Sequence, residues 1–107
     1  MSDNFKYGIV LTTVASKERG NAIAEALLTA KLAACINIFP VTSFYTWQNK
    51  INCDSEWQLI IKTDLNLLSQ LTATIQSLHD YEVPEIIALP IVNGSESYLS
   101  WLGSSLK

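Results

Sequence analysis

The sequence predicts an α+β fold in which two βα units are joined through a β-hairpin, a split βαβ order with both main helices on one face of an antiparallel sheet. Three observations carry it. Apolar, β-branched runs recur at Tyr7 to Thr13, Cys35 to Trp47, Glu56 to Thr63 and Ile86 to Ile91. Two stretches whose apolar residues repeat at spacings of three and four separate the first run from the second and the third from the fourth. The two middle runs are joined by nothing longer than a turn.

The first strand, Tyr7 to Thr13, is followed by Ser16, a residue able to cap a helix N-terminus, with Glu18 in the first turn. Ile23, Ala26, Leu27, Ala30 and Ala34 then form one apolar stripe, its alanines permitting close approach to a sheet. The second strand opens at Cys35 and is expected to be interrupted at Pro40, which cannot donate to a ladder, before resuming through Phe44, Tyr45 and Trp47. Gln48-Asn49-Lys50 reads as the turn, with Asn49 able to take positive φ. Asp64 is placed to cap a second helix carrying Leu68, Leu71, Ile75 and Leu78. Pro84 biases Val83 toward extended backbone, so His79 to Val83 reads as a polar crossing into the fourth strand. Gly94-Ser95 opens a short C-terminal helix with Tyr98, Leu99, Trp101 and Leu102, and Gly103 is placed to end it. The pattern β-α-β-β-α-β-α is that of the ferredoxin-like fold.

A chain of 107 residues that is 49% hydrophobic suits one domain over 1–107. Net charge is −3 and the seven basic residues are scattered, so no basic stripe faces a nucleic acid. Residues 1–8 lack the basic and apolar regions of a secretory leader, and no run approaches the roughly 20 apolar residues of a membrane helix. Two cysteines, Cys35 and Cys53, give neither a disulfide framework nor a Cys-x-x-Cys pair, and a reducing cytoplasm fits them best.

The hairpin asks for a partner. Strands from Cys35 to Trp47 and from Ile51 to Thr63 would each reach about 40 Å, against about 22 Å for a helix of some fifteen residues. Phe39, Phe44, Tyr45, Trp47 and Trp57, half of the ten aromatics, lie there, and a single chain would leave several of them wet. The second and fourth strands are also open edges. A homo-oligomer is expected, with Trp47 and Trp57 at its interface.

The segment His79-Asp80-Tyr81-Glu82-Val83-Pro84-Glu85 holds the sole histidine and three of the ten acids. It reads either as a ligand or metal site at a strand end or as a helix C-terminus whose histidine meets the helix dipole while its acids face water. In the split βαβ order, Thr12, Thr13, His79, Tyr81 and Glu82 share one end of the sheet and Cys35 lies at the other. Thr12, Tyr81 and Glu82 are expected to line a cleft and His79 to be the metal-binding nitrogen, with Cys53 an exposed thiol and the next candidate. No nucleophile accompanies His79, so an enzyme is not expected.

Six blocks in order resemble one family: Val10-Leu11-Thr12-Thr13, Lys31 to Asn37, Tyr45 to Ile51, Asp54-Ser55-Glu56, Ile61-Lys62-Thr63, and His79 to Ile86. The chain resembles the CutA divalent-cation tolerance proteins over about Gly8 to Leu102. The resemblance implies a ferredoxin-like homotrimer with clefts between subunits, similar in architecture to the PII signalling proteins, and a link to copper and other divalent cations. It implies no enzyme. Asp80 stands where the family usually has Pro, and Asn49 where it has Gly. The members with proposed copper ligands carry Cys at the position of Thr12 and His at that of Leu78, so of that set only His79 remains here.

Overall fold

The computed structural model describes residues 5–107; residues 1–4, part of the stretch read above for a secretory leader, lie outside that range. The elements are β1 (Tyr7–Val14), α1 (Lys17–Thr29), β2 (Cys35–Trp47), β3 (Lys50–Asp64), a 3-10 turn (Leu65–Leu67), α2 (Leu68–Leu78), β4 (Ile87–Pro90) and α3 (Glu96–Ser104). The sheet order is β2-β3-β1-β4 with every pairing antiparallel, the ferredoxin-like topology with β2 and β4 as its edges.

Strand alternation sorts the side chains. Val10 and Val14 of β1 and Leu59 and Ile61 of β3 turn to the helix layer and are fully buried with Ile23 and Leu27 of α1 and Leu71 and Ile75 of α2. The stripe of α2 is the face laid on the sheet, and so is the part of the α1 stripe from Ile23 to Leu27; α1 ends at Thr29, so Ala30 is an exposed cap and Ala34 lies beyond the helix. Ser16 caps α1 by accepting from the Arg19 N–H. Its C-terminus closes without glycine: Lys31 takes φ 58°, the Leu32 N–H reaches the Leu27 carbonyl, and the Lys31 N–H reaches that of Leu28.

Four local expectations change. Pro40 does not interrupt β2, which pairs with β3 without a break from Cys35 to Trp47. On an edge strand an imide nitrogen can face away from the ladder. The β2–β3 turn uses Gln48 as well as Asn49 at positive φ (52° and 62°), a two-residue loop whose twist matches the flanking strands. Gly103 lies inside α3 rather than ending it; a Cβ there would collide with the Tyr7 hydroxyl, so the residue is small because α3 crosses close to β1. Asp64 does accept from the Asn66 N–H, but it caps the 3-10 turn that leads into α2.

The hairpin outruns the helix layer as expected. β2 has 13 residues and β3 has 15, and toward their shared turn Phe44 is 72% exposed, Trp47 62% and Ile51 81%. No described helix is long and apolar enough to cross a membrane.

Thr12 is placed differently from its expected position at a cleft. It shares the helix-facing side of β1 with Val10 and Val14, its exposure is 0%, and its hydroxyl has no hydrogen-bonding partner among the described residues. It does reach the end of the sheet near His79, but its side chain points into the core, because a strand shows alternate residues to opposite faces. Thr12→Val removes an unpaired buried hydroxyl at nearly constant shape and is expected to raise stability by about 1 kcal/mol. A denaturation midpoint moved upward with an unchanged slope is the signature; a lowered midpoint shows that the hydroxyl has found a partner.

Candidate functional site

The end of the sheet where β1 finishes carries the site. β4 pairs with β1 only from Gly8 to Leu11, so the ladder stops short of Thr13 on that side. The crossing that follows α2 fills the space. His79 Nε2 lies 2.8 Å from the Thr13 carbonyl, and the Tyr81 backbone N–H donates to His79 Nδ1 at 3.0 Å. Arg19, from the first turn of α1, donates to the Leu78 carbonyl at 3.0 Å and pairs with Asp80 at 3.0 Å. It thereby covers the C-terminus of α2, the place His79 would occupy in the second of the two readings left open by the sequence.

Beyond the crossing is a cavity of about 620 Å³ lined by Tyr45, Trp47, Asp54, Glu56, Asp80, Tyr81, Glu82 and Val83. Its lining comes from the β2–β3 hairpin and from the crossing, which meet at this end. Asp54 and Glu56 are two residues apart on β3, so both carboxylates fall on one face. Each receives a phenol: Tyr45, across the hairpin on β2, donates to Asp54, and Tyr81 donates to Glu56 at 2.6 Å. Four acids and three aromatic rings line the space, with no Lys or Arg among them. Such a lining repels anions and favours cations and hydrogen-bond donors.

Of the residues expected at a site, Tyr81, Glu82 and Trp47 meet in this cavity. His79 stands behind it, its ring centroid 4.9 Å from that of Tyr81. Thr12 is in the core. Trp57 packs against the core on the helix side with the Lys17 ammonium 5.7 Å from its ring centroid, and Cys35, paired with Lys62, lies at the opposite end of the sheet. Sequence reasoning missed the roles of Tyr45, Asp54, Glu56 and Asp80. The alternation of Asp54 and Glu56 was a signal, since two carboxylates on one strand face call for partners.

The proposed copper set does not fit this chain. Leu78 supplies no side-chain donor, the Thr12 hydroxyl faces the core, and both His79 ring nitrogens are engaged. Among the described residues no group of three or more His, Cys, Asp or Glu is arranged to hold an ion.

The phenols are shifted with their partners. Burial, then the hydrogen bond and charge of Glu56, push Tyr81 well above the ordinary phenol value. The bond to Asp54 is the main cause of a rise at Tyr45. For a phenol raised in the folded state, the stabilisation is complete below about pH 10, the unfolded value, and is lost as pH climbs toward the folded one. Tyr81→Phe deletes a charge-assisted bond and strands a carboxylate that is only 9% exposed, so it is expected to cost about 1.5–3 kcal/mol at neutral pH. It should also lessen the loss of stability above pH 10. Equal denaturation midpoints for the two proteins at neutral pH would show that the bond contributes nothing.

The family described as CutA1 divalent ion tolerance protein matches residues 8–105. The chain belongs to this family. The chloroplastic CutA protein of Arabidopsis thaliana is 47% identical over 100 residues, covering 92% of this chain and 55% of that protein. The chain thus spans about half the length of that plant relative. The CutA1 crystal structure from Oryza sativa superimposes with a TM-score of 0.92 at 44% identity, covering 99% of this chain and 98% of that one. The periplasmic divalent cation tolerance protein CutA of Archaeoglobus fulgidus gives a TM-score of 0.92 at 35% identity, covering 94% of this chain and 99% of that one. The fold as a whole is thus shared with these CutA structures.

Proposed function

We propose that this CutA1 chain acts in divalent-cation tolerance as a cytoplasmic homotrimer that receives copper or another divalent cation in clefts between subunits. The observation that carries the reading is the cavity beside the crossing, lined by four acids with no Lys or Arg and bounded by a hairpin whose exposed aromatics lack cover in a single chain. Three copies, each lending a hairpin to the next, would close the cavity into a cleft lined by Tyr81 and Glu82. Trp47 and Trp57 are the residues we assign to the interface. The exposed free thiol of Cys53 favours a reducing compartment. Carboxylates and phenols are hard oxygen donors, so cation contact there is expected to be weak for copper, with Cys53 a separate soft contact.

A second reading is a PII-like module that takes a small polar molecule or a partner protein in the same clefts without catalysis. It is favoured by the lack, among the described residues, of a ready three-ligand metal group.

Tyr81→Phe combined with Glu82→Gln keeps most of the volume while removing a hydroxyl and a charge. Calorimetry with Cu²⁺ on protein of three times the 11.9 kDa chain mass is expected to show reduced heat per folded trimer in the double variant. Unchanged heat, with assembly intact, would move the cation elsewhere, and Cys53→Ser then decides whether the thiol holds it.

A further inference from the structure

His79 is the one imidazole in this chain, and both of its ring nitrogens already have partners. The Thr13 carbonyl can only accept, so the ring nitrogen 2.8 Å away, Nε2, carries the hydrogen. The Tyr81 backbone N–H can only donate, so Nδ1, 3.0 Å from it, is the bare lone pair. The two partners together select one neutral tautomer. A metal at Nδ1 would have to displace the Tyr81 amide, and a metal at Nε2 would have to displace both a hydrogen and the Thr13 carbonyl.

Four consecutive residues, from the last of α2 into the crossing, are tied to three different elements. The Leu78 carbonyl and the Asp80 carboxylate go to Arg19 on α1, the His79 ring goes to β1, and the Tyr81 hydroxyl goes to Glu56 on β3. His79 is the only one of these that also holds its neighbour: one nitrogen grips β1 and the other fixes the amide of Tyr81, whose ring leans on the imidazole at an interplanar angle of 47°. The stretch of β1 it grips is the stretch that β4 leaves unpaired.

We infer that His79 is a positioning residue, an Nε2–H imidazole that pins the crossing to the end of β1 and aims Tyr81 at Glu56, and that it is not a ligand for divalent cations in this chain. The inference does not depend on what the cavity binds. A cation held by the carboxylates, or a polar ligand in their place, leaves His79 in the same role.

The chain has one histidine, so a long-range ¹⁵N–¹H spectrum of the assembled, ¹⁵N-labelled protein contains a single imidazole pattern. In mildly alkaline buffer, where an ordinary imidazole is neutral, the expected pattern is that of the Nε2–H tautomer. Addition of equimolar Zn²⁺, chosen because it is diamagnetic, is expected to leave both ring nitrogens in place. An Nδ1–H pattern, or a Zn²⁺-dependent shift of either nitrogen of the size that coordination produces, overturns the inference even if the cation binds elsewhere as well. The positioning role has its own readout in a background in which Tyr7, Tyr45 and Tyr98 are each replaced by Phe, so that Tyr81 is the single phenol whose ionisation the absorbance reports. His79→Ala is expected to bring Tyr81 ionisation down toward that of free tyrosine, and His79→Gln, whose amide can still donate to the Thr13 carbonyl, to restore part of the delay. If His79→Ala fails to fold, the Gln variant and the native spectrum still decide. Late Tyr81 ionisation that is indifferent to both substitutions removes the positioning role.

Discussion

Trp47→Asp is expected to leave each chain folded and to break the proposed trimer into monomers at micromolar concentration. Trp47 sits next to the β2–β3 turn, 62% exposed in the single chain, and makes no contribution to the core. Burial of an indole against a neighbouring chain contributes about 2–3 kcal/mol per copy, and a carboxylate in its place would be buried without a partner. The cost is repeated at every interface of a closed ring, so the loss compounds. Light scattering or native mass spectrometry reads the result as a fall to the chain mass. A trimer that survives with unchanged thermal stability would put Trp47 on a wet surface.

Leu59→Ala is expected to cost about 2–5 kcal/mol, enough to unfold a large fraction of a domain of ordinary stability. Leu59 is fully buried in the middle of β3, opposite Thr12 on β1 and Ile38 on β2. Gly20 of α1 lies over it: a Cβ at Gly20 would stand 3.4 Å from Leu59 Cδ1. The helix therefore approaches too closely to refill the space by a side-chain shift, and a cavity would remain. Chemical denaturation checks the magnitude. A loss below about 1 kcal/mol would mean that α1 settles onto the sheet.

Much of this was legible in the sequence because it depends on period. The helix stripes, the buried alternation of β1 and β3, and the excess length of the hairpin over α1 all follow from spacings of 3.6 and 2 residues. What failed depended on facts that spacing does not carry. Pro40 read as a break because its tolerance rests on β2 being an edge and on which way its nitrogen faces. Gly103 read as a stop because the approach of Tyr7 from the far end of the chain is invisible locally.

At the site, topology correctly gathered Thr12, His79, Tyr81 and Glu82 at one end of the sheet. It did not separate Thr12 from the others, although parity with Val10 and Val14 was available to do so. The tyrosine–carboxylate pairs needed the hairpin register, since Tyr45 reaches Asp54 only when Trp47 is paired with Lys50. Arg19 and Leu78 are 59 positions apart, and no local rule joins a first-turn arginine to the carbonyl at another helix's end.

The unequal reach of the strand pairings sets an order of events as the chain folds. β2 and β3 are joined by a two-residue loop and can zip from Trp47 and Lys50 outward, at the microsecond rates of hairpins. β1 and β4 meet only when Gly8 finds Pro90, across nearly the whole chain, and only four pairs reward that closure. During synthesis the hairpin is complete well before β4 has been made. Its aromatic tip is therefore presented while the opposite edge of the sheet is still open, and in the proposed trimer that tip is the surface through which nascent chains would first meet.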